Sequence, residues 1–282
     1  MCSVVDDPFA DQGNADAPGS QLARYAWSNV NVDVAWPLLE NIVPQGDLIL
    51  AVGPSRKLFA MASSFLCEIS PVFAVMLGPN FEEGKSNLYT SFPKDIMYLI
   101  FELEEGHRLR NTKVGDPGMV LELPDDDAQA LCNTIRVLYG ADPLAKDYEP
   151  ADIQKIAIIV DKYDMVSRFT FASTFWFAKY AWADDPEETW QLTTAAYWLE
   201  CPDAFFAFSK KLIKQMQVSH LGCVEGMPDG VFGLRLCLAI EEHRVRKLIH
   251  NSKQRGLCLY CFKRAQVGFT SRVEGCKHRK YH

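Results

Sequence analysis

The residues whose types and spacing point most directly to chemistry crowd the C-terminal end, where positions 256–282 read GLCLYCFKRAQVGFTSRVEGCKHRKYH. Cys258 and Cys261 form a C-x2-C pair, 14 residues intervene before Cys276, and His278 and His282 follow. A C-x2-C knuckle sets two thiolates on one turn, and zinc completes a tetrahedron with a second Cys or His pair a dozen or so residues on. The spacing predicts a zinc site with five candidate ligands: Cys258, Cys261, Cys276, His278 and His282. A C2H2-like set would use Cys258, Cys261, His278 and His282, with Cys276 and His278 as a competing second pair. Leu257, Phe262, Val267 and Phe269 are the apolar residues near enough in sequence to pack around it. The other cysteines that can be placed by eye, Cys2, Cys67, Cys132, Cys201, Cys223 and Cys237, are scattered and read as small apolar residues of a reduced protein.

The same segment carries a charge unlike the rest. Positions 250–282 hold eight Lys or Arg and one acid, Glu274, so this tail is +7, and a chain total of -7 leaves -14 for everything before it. A basic tail with Phe262 and Tyr281 among its cations could track a phosphate backbone and stack on bases. The acidic body would repel the same polymer, and docking of the tail on that body is the competing expectation. The tail reads as a separate object.

Elsewhere no catalytic constellation is visible. The chain lacks GxxxxGK[ST], GxGxxG after a strand, GxSxG and HExxH. Glu242 and His243 sit in EEHRVRKLIH, whose alternating signs predict a solvated helix face, and the acids Asp125 to Asp127 suit the start of a helix. The expectation is a protein without enzymatic activity. A mean hydropathy of -0.08 and 48% hydrophobic residues are ordinary for a globular chain. The N-terminal MCSVVDDPFADQ puts acids where a signal peptide needs a basic and then an apolar stretch, so a cytoplasmic or nuclear location is expected. The apolar run 58–77 is interrupted by Glu68 and by Ser70-Pro71, which predicts two short elements rather than a membrane span.

The elements that must position these residues follow from periodicity and caps. GDLILAV at 46–52 and KLFAM at 57–61 read as two strands around a four-residue turn. Short helices over 64–69 and 71–77 follow, then a strand over Met119–Leu123 and a helix from Ala128 to Tyr139 opened by Asp125–Asp127. From Asp152 the pattern is helical throughout. One helix is rich in aromatics (Phe169, Phe171, Phe175, Trp176, Phe177, Tyr180, Trp182), which at helical spacing predicts a packed core. Asp185 and Pro186 open another, and a further one spans about Asp203 to Met216.

This order resembles the BTB/POZ domain of the fungal type. The resemblance is carried by GDLILAVG at 46–53, FLCEISPVFAVMLGPNFEEGKS at 65–86, LELPDDDAQALCNTIRVLYG at 121–140 and IQKIAIIVDKYDM at 153–165. It implies an α+β core, a small sheet with helical hairpins, over 44–182 with an insertion near 84–118. An arm over 1–43, partly disordered, would precede it, and a helical BACK-like extension over 183–250 and the Cys/His-rich tail over 251–282 would follow. Asp47 matches the family acid that opens the first core strand, and Ala62 stands where the family commonly has a histidine. The resemblance further implies a protein interaction module, a homodimer, and an adaptor that brings a client protein to a cullin-type ubiquitin ligase. Phe81, Glu82 and Glu83 occupy the place of the family's cullin-contacting segment, so Phe81, Glu83 and Asp47 become the candidate partner-binding residues. A nucleic-acid-associated or transcription-related factor using the zinc-binding tail is the alternative reading.

Overall fold

The protein is α+β in the computed structural model, which describes residues 40–41, 47–78, 119–140, 147–215, 219–225, 227–250 and 255–282. Four strands, β1 (Glu40–Asn41), β2 (Leu48–Val52), β3 (Lys57–Met61) and β4 (Met119–Leu123), lie in the order β1-β3-β2-β4. β2 and β3 are the antiparallel hairpin, with Leu50 opposite Phe59, and β4 runs parallel to β2 with Leu121 opposite Leu50. Both neighbours of β2 thereby use all its hydrogen-bonding groups, and Leu48, Leu50 and Val52 are buried.

Two short helices follow the hairpin, α1 (Ser63–Ile69) and α2 (Pro71–Met76). Ser70 divides them. Its hydroxyl accepts from the Phe73 amide at 3.1 Å and donates to the Tyr163 carbonyl at 2.6 Å, with no exposure to solvent. Proline at the next position starts α2 without losing a needed donor. The apolar run 58–77 is thus one strand and two short helices, and among the described residues no helix is long and apolar enough to cross a membrane.

After β4, Asp127 caps α3 (Ala128–Tyr139) by accepting from the Ala130 amide at 2.9 Å. α4 (Pro150–Lys162), α5 (Thr170–Lys179), α6 (Pro186–Trp198), α7 (Pro202–Lys214) and α8 (Gly230–His250) build the rest. Asp185 caps α6 through the amides of Glu187 and Glu188. Buried Asp126 takes the Lys162 ammonium at 2.6 Å and the Tyr163 hydroxyl, tying the β4–α3 corner to the end of α4. One buried cluster runs from Leu48 in the sheet through Ile156, Trp190 and Phe205 to Leu257 and Phe262 in the tail.

The aromatic-rich helix departs from expectation. Phe169, Trp176 and Phe177 enter the core, whereas Phe171 is 87% and Trp182 89% exposed and Phe175 is exposed beside them. Phe169 and Trp182 lie outside α5, and the helix itself buries Trp176 and Phe177 on one face and leaves Phe171 and Phe175 exposed on the other. Residues 84–118 and most of the N-terminal arm lie outside the described residues.

Candidate metal centre at the C-terminus

The tail is not a separate object: it is seated on α7 and α8. Gly256 lies against the main chain of α7 so closely that a Cβ there would stand 1.9 Å from the Phe206 carbonyl oxygen. The next amide, of Leu257, donates to the buried Ser209 hydroxyl at 2.8 Å. Leu257 and Phe262 are buried against the body, and the Phe262 ring packs among Phe205, Phe232 and Tyr197. The apolar core that a tail of this length cannot supply for itself is therefore supplied by the helices.

Polar contacts fix the rest. Glu242 on α8 accepts from the Phe269 amide (2.9 Å), the Thr270 amide (3.2 Å) and the Thr270 hydroxyl (3.0 Å), and His243 Nε2 lies 3.1 Å from the Phe269 carbonyl oxygen. These two residues clamp the tail, which corrects the expectation of a solvated face. Arg235 donates to the Phe262 and Ala265 carbonyls. Asp203, in the first turn of α7, accepts from Lys280 at 2.5 Å and from the Tyr281 hydroxyl at 2.6 Å, and Lys263 pairs with Glu200 at 2.8 Å. The acidic body and the basic tail meet through these pairs.

This seating brings four donors together. Cys258 is the N-cap of the six-residue helix α9 (Leu259–Arg264) and Cys261 stands in its first turn, so the C-x2-C spacing places both sulfurs on one side of a helix start. Gly275, in the left-handed region at φ 79°, turns the chain so that Cys276 comes back to that start. A 3-10 turn at Arg279–Tyr281 then delivers His282. The three Sγ atoms and a nitrogen of the His282 ring all lie within 4.8 Å of one another. Cys258 and Cys276 sulfurs are 3.8 Å apart, and His282 Nε2 is 3.4 Å from Cys261 and 3.5 Å from Cys276. A tetrahedron with metal–sulfur bonds of about 2.3 Å and a metal–nitrogen bond of about 2.0 Å has edges of about 3.8 Å between sulfurs and about 3.5 Å from sulfur to nitrogen. The donor set fits such an ion, and the cluster could hold one.

The thiols are inequivalent. Burial pushes all three up, but at Cys276 it is outweighed by hydrogen bonds from the His278 amide, the His282 ring and Cys261, and this thiol is held down at about 6. Burial, with the neighbouring sulfurs, pushes Cys261 up to about 12 and raises Cys258 as well. Cys276 is therefore the thiol that gives up its proton to a cation most readily.

Of the five predicted ligands, Cys258, Cys261, Cys276 and His282 come together as a Cys3His set, and His278 does not join them. Its Nδ1 lies 3.9 Å from the Cys276 sulfur, and its ring stacks on Tyr281 and faces Tyr260. The C2H2-like set with His278 is thereby replaced by one in which Cys276 takes the third position. Of the anticipated finger core, Leu257 and Phe262 are buried, whereas Val267 is fully exposed.

Asp47 is engaged within the chain. Its carboxylate accepts from the Ser63 amide and the Ser63 hydroxyl, both at 2.6 Å, and so closes the N-terminus of α1, where Ala62 at the cap position offers no side-chain bond. Phe81 and Glu83 lie outside the described residues. Sequence reasoning missed Glu242, Asp203, Ser209 and Arg235 as anchors of the tail, because each acts across 27 or more positions of chain. The opposed charges of body and tail were the one available signal. Neither family models nor curated proteins nor solved structures yield a match to this chain.

Proposed function

We propose that the chain is a self-associating protein interaction module of BTB/POZ type rather than an enzyme, with a structural zinc ion at Cys258, Cys261, Cys276 and His282. The observation that carries the interaction reading is an apolar stripe on α8 that no described residue covers. Val231, Leu234, Leu238, Val245, Leu248 and Ile249 are between 48% and 71% exposed, while Phe232, Leu236, Ala239 and Ile240 on the opposite face are buried. Spacings of three, four and seven are those of a helix seam. At about 100 Å² of apolar surface per side chain the stripe offers roughly 600 Å², at the top of what a monomer usually leaves bare. Two copies pairing through it would bury about 1,200 Å², the lower bound of a standard interface.

The BTB/POZ assignment is supported by the element order: hairpin, Ser-Pro helix pair, a strand parallel to the first, and paired helices. The zinc assignment is supported by the tetrahedral edges and by ligand type. Three thiolates and one imidazole select zinc over hard cations, and four protein ligands leave no open coordination position, the pattern of a structural rather than a catalytic site. The finer role of an adaptor for a cullin-type ubiquitin ligase, in cytoplasm or nucleus, rests on Phe81 and Glu83. Equal capture of a cullin N-terminal region by wild type and by Phe81→Ala with Glu83→Ala would refute that role. The nucleic-acid reading draws less support, because Lys263 and Lys280 are paired with Glu200 and Asp203.

Light scattering tests self-association. Wild type is expected at twice the chain mass of 31.8 kDa, and Leu238→Arg with Leu248→Arg at the chain mass, with circular dichroism unchanged. A wild type that stays monomeric at tens of micromolar, or a variant that stays dimeric, overturns the assignment of this face.

A further inference from the structure

A cleft of about 510 Å³ opens between the β4–α3 corner, α4, α6 and the 3-10 turn Leu221–Val224 that leads towards α8. Asp125, Asp126 and Asp127 come to its wall from the corner, Glu187 from the first turn of α6, and Glu225 from the end of the 3-10 turn. Its two cations are engaged by two of these acids: Lys155 pairs with Asp127 at 3.2 Å and Lys162 with Asp126 at 2.6 Å. Five carboxylates against two ammonium groups leave the wall at -3. The Gln191 amide donates to Glu187 at 3.4 Å, and as a neutral donor it leaves that charge in place. The N-termini of α3 and α6 offset about half a charge each, so the wall stays negative by about two. Asp125, Glu187 and Glu225 pair with no cation among the described residues.

A second observation concerns Trp190, which lines the same cleft and is 1% exposed. Its ring is fixed by stacking on His220, with centroids 5.7 Å apart, and its indole N–H is hidden from solvent with no acceptor among the described residues. A buried donor without a partner is uncommon in a folded protein and points to an acceptor brought from outside. A metal ion does not suit this wall, because it needs oxygens that converge on one point. Among the described residues, the group of three or more ligand atoms close enough for that is the Cys3His cluster and not these carboxylates. A simple amine, once protonated, is all donor and offers the Trp190 N–H nothing. A peptide bearing lysine or arginine supplies both needs. Its carbonyl oxygens accept, and its cation sits on an apolar stem that can lie along Ile158, Ile159 and Met227 of the same wall. The volume is that of a small-ligand site, which admits a few side chains and not a folded surface.

We propose that this cleft docks a short basic segment of a partner protein, with a lysine or arginine held by Asp125, Glu187 and Glu225 and a main-chain carbonyl accepting from Trp190 Nε1. The proposal deepens the interaction-module reading and rests on it for the peptide's role as a client, but the cleft uses neither the α8 face nor the zinc ligands. The body, at -14 before position 250 by the charge count above, draws such a segment towards it.

Fluorescence anisotropy on the purified full chain, with a labelled, capped peptide of alternating lysine and alanine, is the test; the matching glutamate–alanine peptide, spermidine and calcium are the comparisons. The lysine peptide is expected to bind and the glutamate peptide not to compete with it. Glu187→Gln and Glu225→Gln, both at exposed positions, are each expected to weaken binding about fivefold, the upper end for an exposed ion pair, and to flatten its salt dependence. Trp190→Phe keeps a ring and deletes the N–H, and is expected to weaken binding with the salt dependence unchanged. Thermal unfolding equal to wild type in the two glutamate variants separates a lost site from a lost fold. Leu238→Arg with Leu248→Arg is expected to bind the peptide as wild type does, which tells a failure of the α8 face from a failure of the cleft. No binding of the lysine peptide, binding unchanged in both glutamate variants, tighter binding of spermidine or calcium than of the peptide, or binding lost in the α8 variant overturns the proposal.

Discussion

Substituting Gly256 by alanine should detach the tail from α7. The added methyl would sit 1.9 Å from the Phe206 carbonyl oxygen, 2.8 Å from its carbon and 3.1 Å from Lys210 Cβ. The first two atoms are helix main chain and cannot turn aside, so the tail must retreat by about 1.5 Å to reach an ordinary van der Waals separation. A retreat of that size stretches the 2.8 Å bond from the Leu257 amide to Ser209 past useful length and loosens Leu257 and Phe262 in the core. Overpacking costs about 1–3 kcal/mol and the buried hydrogen bond about 1 kcal/mol, so the variant should lose about 2–4 kcal/mol. For a chain of this size that corresponds to a fall in Tm of roughly 4–10 °C. Calorimetric unfolding of the zinc-loaded protein gives the first number, and amide hydrogen exchange over 255–282 locates the change. Unfolding and exchange indistinguishable from wild type would refute the close seating of Gly256 and with it the docked tail.

Ser70→Ala removes the cap of α2 and strands the Tyr163 carbonyl in a buried place, so denaturant unfolding should show a loss of about 2–3 kcal/mol. Zinc uptake at neutral pH should release about two protons from the thiols, from Cys258 and Cys261, because Cys276 is already thiolate at a value of about 6; an indicator dye counts them, and three would contradict the assignment of Cys276. Hydrogen bonds from Lys280 and Tyr281 hold Asp203 below its ordinary 3.8, and main-chain and Thr270 donors outweigh burial to hold Glu242 below its ordinary 4.5. Both therefore stabilise the docked tail above those ordinary values and lose that effect as pH falls through the depressed ones. Protection of the tail amides relative to their intrinsic exchange rates should fall below about pH 4, and Asp203→Asn should shrink that fall; equal acid response in the variant would contradict the role of Asp203.

Much of the fold was legible because its signals are local. Ser70-Pro71, Asp127 and Asp185 announce helix starts through side chains that reach their own next amides, and all three do so. Alternation and length placed β2, β3 and β4 within two residues. The metal cluster was half legible. C-x2-C is read within one turn, but the choice of Cys276 over His278 depends on the left-handed Gly275 and on the stacking that engages the His278 ring. The clamp was not legible: an acid such as Glu242 reads as solvated until the segment that covers it is brought back across 27 residues of chain. Aromatic composition misled for a related reason. Helical spacing places Phe171 and Phe175 on one helix with Trp176, and only packing states which side faces the core, while Trp182 lies beyond the end of α5.

On the proposed reading, a closed zinc site of three thiolates and one imidazole fastens the tail to the body. X-ray absorption at the zinc edge of the purified protein, with the metal quantified in the same sample, tests it most directly. One zinc per chain with three sulfurs near 2.3 Å and one nitrogen near 2.0 Å is the result expected from Cys258, Cys261, Cys276 and His282. A shell of two sulfurs and two nitrogens would return His278 to the site in place of Cys276, and a protein that takes up no stoichiometric zinc would contradict the account.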